Sequence, residues 1–190
     1  FREYDIRGIV GEELNQESVK LLGYFLGLEV KKRTVQQPYV VVGYDARTHS
    51  PELFGYLTSG LNMAGCKVLG MGMVATGVNY FASYQKFDGI QSHASVMITG
   101  SHNPSEYNGF KMTIDHYPFF GEDIYTLGET IIKNQTLDVS DNEAFIPIDA
   151  KKLYINYMVE NFAHLKGMKE RFIIDAGNGV ADTVLTEILD

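Results

Sequence analysis

The stretch Met97-Ile98-Thr99-Gly100-Ser101-His102-Asn103-Pro104 concentrates more chemistry than any other part of the chain. Its first residues are apolar and strand-forming, so Ser101 is expected just beyond a strand end. Gly100 allows a sharp bend that exposes the hydroxyl, and Pro104 and Gly109 restrict the loop. A bare serine hydroxyl is a weak nucleophile and needs a base or a metal. Once phosphorylated it carries about −1.5 to −2 charges at neutral pH and needs cations around it. Lys111, His102 and Arg7 are the candidates. Such a set suits phosphoryl transfer, in which positioning and charge neutralisation do most of the work. The alternative use of Ser101 is to cap a turn.

The run Phe1-Arg2-Glu3-Tyr4-Asp5-Ile6-Arg7-Gly8 alternates charged with apolar groups. It is expensive to bury unless its charges are paired; otherwise it is a solvated arm.

Both segments need elements to position them. Leu14 to Val30 reads as a helix, with Asn15 as N-cap, a Leu14–Val19 staple, and Val19, Leu22, Leu26 and Val30 at helical spacing. Tyr39 to Val42 is a β-branched run and therefore a buried strand. Ser50-Pro51-Glu52 reads as a cap, a first-turn proline and an acid, opening a helix whose stripe is Leu53, Leu57 and Leu61 and which ends at Gly65. Cys66 to Leu69 is the next strand, which makes a strand-helix-strand unit with parallel pairing. A helix over Val78–Phe87, a strand over Ser95–Ile98, a strand over Gly109–Ile114 at an antiparallel edge, and a helix through Ile124, Leu127 and Ile131 follow. Asn134 to Asn142 is the linker candidate. Lys151 to Leu165 reads as a helix with Leu153, Tyr157 and Leu165 among its apolar positions. Arg171 to Asp175 reads as a strand, and Asp175-Ala176-Gly177-Asn178-Gly179 as a turn before a last helix.

The expected fold is α/β: a three-layer α/β/α domain with a mostly parallel, mixed sheet over residues 1–145, then the truncated start of a second α/β domain over 146–190. In open α/β sheets ligands gather at the carboxyl ends of strands. Three loops qualify: Gly43–Arg47, the glycine turn at Gly70, and Thr99–Asn108.

Composition sets the boundaries. The 190 residues are 45% hydrophobic and 21% charged, an ordinary globular balance with enough apolar material for a core. A net charge of −8, with Lys31-Lys32-Arg33 as the longest basic run, argues against a nucleic-acid partner. No apolar stretch has the length of a membrane span. The lone Cys66 leaves no intrachain disulfide and implies a reducing, cytoplasmic setting. Its apolar neighbours Val68 and Leu69 make it a buried small residue rather than a nucleophile.

Three motifs carry a resemblance. FREYDIRG at Phe1–Gly8, GYDAR at Gly43–Arg47 and TGSHNPSEYNGFK at Thr99–Lys111 resemble the α-D-phosphohexomutase family, above all its bacterial phosphomannomutase/phosphoglucomutase branch. DAGNG at Asp175–Gly179 is similar to the start of that family's second domain. The resemblance implies that Ser101 is the phosphoserine. It gives its phosphate to a hexose 1-phosphate or 6-phosphate, forms a bisphosphorylated sugar and takes back the other phosphate, with hexose 1,6-bisphosphate as activator. It further implies Mg²⁺ with one ligand oxygen at Ser101, Tyr4 and Arg7 facing the substrate, and Lys111 beside the transferring group as charge stabiliser or proton-transfer candidate. His102 and Asn103 shape the loop. The partners implied are small-molecule hexose phosphates, on a monomer or weak oligomer.

The family's aspartate-rich metal loop, D-G-D-G-D-R in pattern, and its sugar-reading loop have no match in the sequence and are expected beyond Asp190. The 190 residues alone are therefore expected to be inactive, as a piece of a longer chain. Where the family often has Pro-Thr-Pro, this chain reads Ala75-Thr76-Gly77.

Rival patterns exist. Gly70-Met71-Gly72-Met73-Val74-Ala75 matches G-x-G-x-x-A, and Asp88 lies where a ribose-binding acid would be sought. A nucleotide-binding α/β oxidoreductase is thus an alternative, although the motif follows the second strand of its unit rather than opening it. A serine hydrolase lacks the G-x-S-x-G elbow. A non-catalytic phosphosugar-binding module is the third possibility. His49, His93, His116 and His164 have no zinc-ligand spacing.

Overall fold

Val40, Val41 and Val42 are fully buried, as expected where both faces of a parallel sheet are covered and its strands read as unbroken apolar runs. The structure is a computed structural model and describes residues 1–189. Its strands are β1 (Ile6–Ile9), β2 (Tyr39–Tyr44), β3 (Lys67–Met73), β4 (Lys86–Phe87), β5 (Ile90–Gln91), β6 (Ala94–Ile98), β7 (Tyr107–Ile114), β8 (Tyr117–Pro118) and β9 (Ile146–Pro147). Its helices are α1 (Gln16–Arg33), α2 (Ser50–Met63), α3 (Thr76–Ser83), α4 (Glu122–Lys133), α5 (Ala150–Asn161) and α6 (Asp182–Leu189).

The main sheet runs β1-β7-β6-β2-β3-β9, with β8 paired to β7. β2 pairs in parallel with β3 and β6, and β3 in parallel with β9. β7 runs antiparallel to both β6 and β1. The sheet is therefore mixed and mostly parallel, and the fold is α/β.

Side chains alternate across the strands, so two cores form. One face buries Val40, Val42, Val96, Ile98 and Phe110 with the stripes of α1, α2 and α4. The other buries Val41, Leu69 and Met97 with Val78 of α3, Ile155 of α5 and Val184 of α6. Leu53, Leu57 and Leu61 are all fully buried; removing one such side chain to Ala costs about 2–5 kcal/mol.

The capping signals of α1 are realised. The Asn15 side chain accepts from the Ser18 amide, the Ser18 side chain accepts from the Asn15 amide, and Leu14 and Val19 are buried beside them. Among the described residues no helix is long and apolar enough to cross a membrane.

Several sequence expectations are corrected. The helix expected over Val78–Phe87 stops at Ser83, because Lys86–Phe87 and Ile90–Gln91 form a hairpin. Its two turn residues, Asp88 and Gly89, both have positive φ, 50° and 82°, the geometry an Asp-Gly hairpin turn requires. The strand after α2 begins at Lys67 and runs on to Met73, beyond the expected Leu69. β7 is not an edge: the N-terminal run covers it as β1, with Ile6 opposite Phe110 and Arg7 opposite Gly109.

In α5 the buried positions are Ala150 and Ile155. Leu153 and Tyr157 are exposed, although Tyr157 rests against Phe81, and the helix ends at Asn161, so Leu165, also exposed, lies in a separate short turn. The strand expected over Arg171–Asp175 does not form, and Phe172, Ile173 and Ile174 are exposed. A strand needs a neighbour for its ladder, and among the described residues none pairs with it. The Asp175–Gly179 turn does form: Asp175 Oδ1 accepts from the Gly177 amide at 2.8 Å, and Gly177 has φ +55°.

Candidate active site

The loop from Thr99 to Glu106 joins β6 to β7 at the carboxyl end of a parallel strand. Ser101 occupies the left-handed region with φ +52°, a conformation costly for a residue with a Cβ and maintained only when the surroundings fix it. Its amide donates to Thr99 Oγ1 at 3.0 Å. The Thr99 hydroxyl donates to Asp45 Oδ2 at 2.9 Å, and the Gly100 amide to the same oxygen at 3.2 Å. Asp45 Oδ1 accepts from the Ser50 hydroxyl at 2.7 Å and from the Arg47 amide at 3.1 Å.

The Arg47 guanidinium then spans the loop. Nη2 donates to the carbonyls of Ser101 (3.1 Å) and Asn103 (2.6 Å), and Nη1 to those of Pro104 (2.6 Å) and Tyr107 (2.9 Å). Asp45 lies 3.4 Å from Nε. The flat five-donor fork of arginine suits four converging carbonyls; a lysine ammonium does not.

Sequence reasoning missed Asp45 and Arg47 as working residues, although GYDAR was noted. It also misread Ser50, which is the first helical residue and not the cap of α2; His49 takes the N-cap position with no side-chain cap bond. The Ser50 hydroxyl bonds Asp45 instead.

A second network stands on β1 and β7. Buried Asp5 accepts from Lys111 Nζ at 2.8 Å and from Arg7 Nε and Nη2 at 2.9–3.1 Å. Burial raises the pKa of Asp5, but the bonds and charges of Arg7 and Lys111 outweigh it and hold the carboxyl below its ordinary value. The other Arg7 nitrogen, Nη1, donates to Asn103 Oδ1. From Asp5 onward the N-terminal run is thus paired and not a solvated arm, whereas Phe1 to Tyr4 are exposed. Asp5 was absent from the sequence-derived set; its partner Lys111 lies more than a hundred residues away in sequence, and no local signal points to the pair.

Ser101, His102 and Asn103 line one side of a cleft of about 800 Å³ with Asp45, Arg47 and Lys111; Asn178 to Ala181 line the other. Ser101 and His102 are exposed, Asn103 and Lys111 partly buried. Tyr4 stands apart from the cleft lining: it is exposed, stacks on Phe120 at 6.3 Å, and has its phenol pKa raised by Glu3. Among the described residues no group of three or more His, Cys, Asp or Glu could hold a metal ion. Asp5 and Asp45 are already engaged by cations. These residues offer a cation the Ser101 oxygen and do not build a Mg²⁺ site by themselves.

The nucleotide-binding alternative is overturned by the same geometry. Gly70 lies inside β3, where a Cβ would meet Phe145 at 2.5 Å. Gly72 sits at a bulge, since Val42 pairs with Gly70 and Gly43 with Gly72. No phosphate-binding turn opens there.

Fold and cleft together define an α/β/α domain whose cleft is lined by Ser101 together with Arg47 and Lys111, near the carboxyl ends of its parallel strands. The family of phosphoglucomutase/phosphomannomutase α/β/α domain I matches residues 1–138. Over its whole length the chain is 37% identical to a phosphomannomutase/phosphoglucomutase of Pseudomonas aeruginosa, covering 39% of that protein. It is 35% identical to a phosphoglucomutase of Neisseria meningitidis serogroup B, over 95% of this chain and 37% of that one. A phosphoglucomutase/phosphomannomutase family protein of Burkholderia thailandensis superimposes with a TM-score of 0.83 at 32% identity, over 98% of this chain and 40% of that one. The chain belongs to the phosphoglucomutase/phosphomannomutase family. It spans about two fifths of the length of these relatives.

Proposed function

We propose that this chain is the phosphoserine-bearing part of a phosphohexomutase. Ser101 gives its phosphate to one oxygen of a hexose phosphate. The bisphosphorylated sugar turns over, and its other phosphate returns to the Ser101 hydroxyl, so each P–O bond broken is matched by one formed. Hexose 1,6-bisphosphate is both intermediate and activator.

The observation that carries this reading is the exposed Ser101 hydroxyl on a loop whose backbone is fixed from below by Asp45 and Arg47. Phosphoryl transfer is catalysed mainly by positioning and charge neutralisation. Lys111, paired to Asp5 at 2.8 Å, acts as a charge stabiliser for the transferring group. Arg7 orients the Asn103 side of the loop. A Mg²⁺ ion would take a Ser101 phosphate oxygen, with its other ligands from outside this set. The hexose phosphates are small soluble anions, and a buried free thiol at Cys66 suits a reducing, cytoplasmic setting.

The test is Ser101→Ala in the complete protein, supplied with hexose 1-phosphate and hexose 1,6-bisphosphate. Turnover should fall by about three orders of magnitude or more, as when an enzymatic nucleophile is removed. Near-wild-type turnover contradicts the serine relay. Absence of turnover in the wild-type protein itself, with hexose phosphate still bound, favours a non-catalytic phosphosugar-binding module.

A further inference from the structure

His49 bridges two parts of the protein that the sequence keeps far apart. Its Nδ1 faces Asn108 Nδ2 at 3.1 Å, and its Nε2 faces the Ser105 carbonyl, also at 3.1 Å. Asn108 is fully buried at the start of β7. The Gly109 amide donates to Asn108 Oδ1 at 2.8 Å, which fixes which end of the amide is oxygen. Asn108 Nδ2 must therefore donate, and it does so to His49 Nδ1 and to Ser50 Oγ at 2.9 Å. His49 Nδ1 can only accept there. The ring proton then sits on Nε2, where it is donated to Ser105.

Resting on the reading of Ser101 as phosphate carrier, we infer that His49 is a positioning residue for transfer. It is a strut in a single tautomer that ties the far end of the Ser101 loop to the buried Asn108. The same amide holds Ser50, Ser50 holds Asp45, and Asp45 holds Thr99 and Gly100. The loop is thereby gripped at both ends by one hydrogen-bonded chain: Thr99 and Gly100 before Ser101, Ser105 after it. Arg47 grips only carbonyls, among them those of Asn103, Pro104 and Tyr107; His49 alone among these side chains reaches Ser105. A shift of one ångström in the reacting group is enough to slow transfer. His49 itself does not touch the reacting atoms in this scheme.

The experiment compares His49→Leu, His49→Gln and Ser101→Ala in the complete protein, and reads the ring nitrogens of His49 by ¹⁵N NMR. Leu fills the space without a hydrogen bond; Gln places a nitrogen donor near the Nε2 position. His49→Leu should lower kcat about five- to tenfold, as for the loss of one or two hydrogen bonds, with KM little changed. His49→Gln should recover most of that loss, which a space-filling role would not produce. The NMR spectrum should show Nδ1 unprotonated and Nε2 protonated. A wild-type kcat in His49→Leu, equal loss in Leu and Gln variants, or a proton on Nδ1 overturns the proposal. Full activity in Ser101→Ala would instead remove the carrier reading beneath it, and the NMR result does not depend on that reading.

Discussion

β3 and β6 flank β2 as parallel neighbours, and each carries a left-handed residue near its carboxyl end: Gly72 with φ +68° and Ser101 with φ +52°. At Gly72 the turn is a bulge inside the strand. A Cβ there would meet nothing within 4 Å, and the glycine does no more than absorb one extra residue. At Ser101 a residue with a Cβ takes the same conformation, and the loop around it is held through its carbonyls by Arg47 and through the Gly100 amide and the Thr99 hydroxyl by Asp45. Both strand ends carry glycine in sequence. What separates them is the hydrogen-bonded support that makes one conformation worth its strain.

The contrast can be attacked by substitution. In the complete protein, Arg47→Ala removes the bonds to four carbonyls and, on the proposed function, should cut kcat about a hundredfold, equivalent to about 2.7 kcal/mol. Arg47→Lys should recover little of it, since a point charge cannot fork to four oxygens; recovery to wild type in a steady-state assay would contradict the clamp. Gly100→Ala comes next. Its Cβ would lie 2.5 Å from Arg47 Cζ, so the guanidinium must move and turnover should drop about tenfold.

Asp5→Asn tests the cation pair through stability. The folded-state pKa of Asp5 is lowered by Arg7 and Lys111. The carboxylate therefore contributes stability above the unfolded-chain value of about 3.9 and loses it as pH falls through the lower folded value. Wild type should exceed Asp5→Asn by about 1–3 kcal/mol at neutral pH. In denaturant titrations that gap should stay level down to about pH 5 and shrink in more acid solution. A gap that does not change with pH would show that Asp5 is not held by charge.

The smallest effect belongs to Gly72→Ala. Backbone strain should cost about 1 kcal/mol with kcat unchanged, as thermal unfolding and a standard assay would show. A large loss of turnover from Gly72→Ala would mean that the β3 end is functional after all.

Much of this was legible in the sequence because local chemistry and tertiary need agreed. The Asn15 cap, the Leu53–Leu57–Leu61 stripe, the valine run of β2 and the Ser101 loop all formed where their residues point. The misses share a cause. β1 was unreadable as a strand because Ile6–Ile9 gains its identity only by pairing with β7, about a hundred residues away. Asp5, Asp45 and Ser50 were overlooked because each acts by holding another residue, and such roles depend on contacts across the sheet. Arg171–Asp175 reads as a strand on propensity, but propensity provides no partner.

The most direct test of the central claim is to incubate the complete protein with hexose 1,6-bisphosphate labelled in its phosphates, and to map the label by peptide mass spectrometry. One labelled phosphate per chain on the peptide containing Ser101, lost in Ser101→Ala, is the predicted result. Label on another residue, or an unlabelled Ser101 in protein that turns over hexose phosphate, would contradict the account.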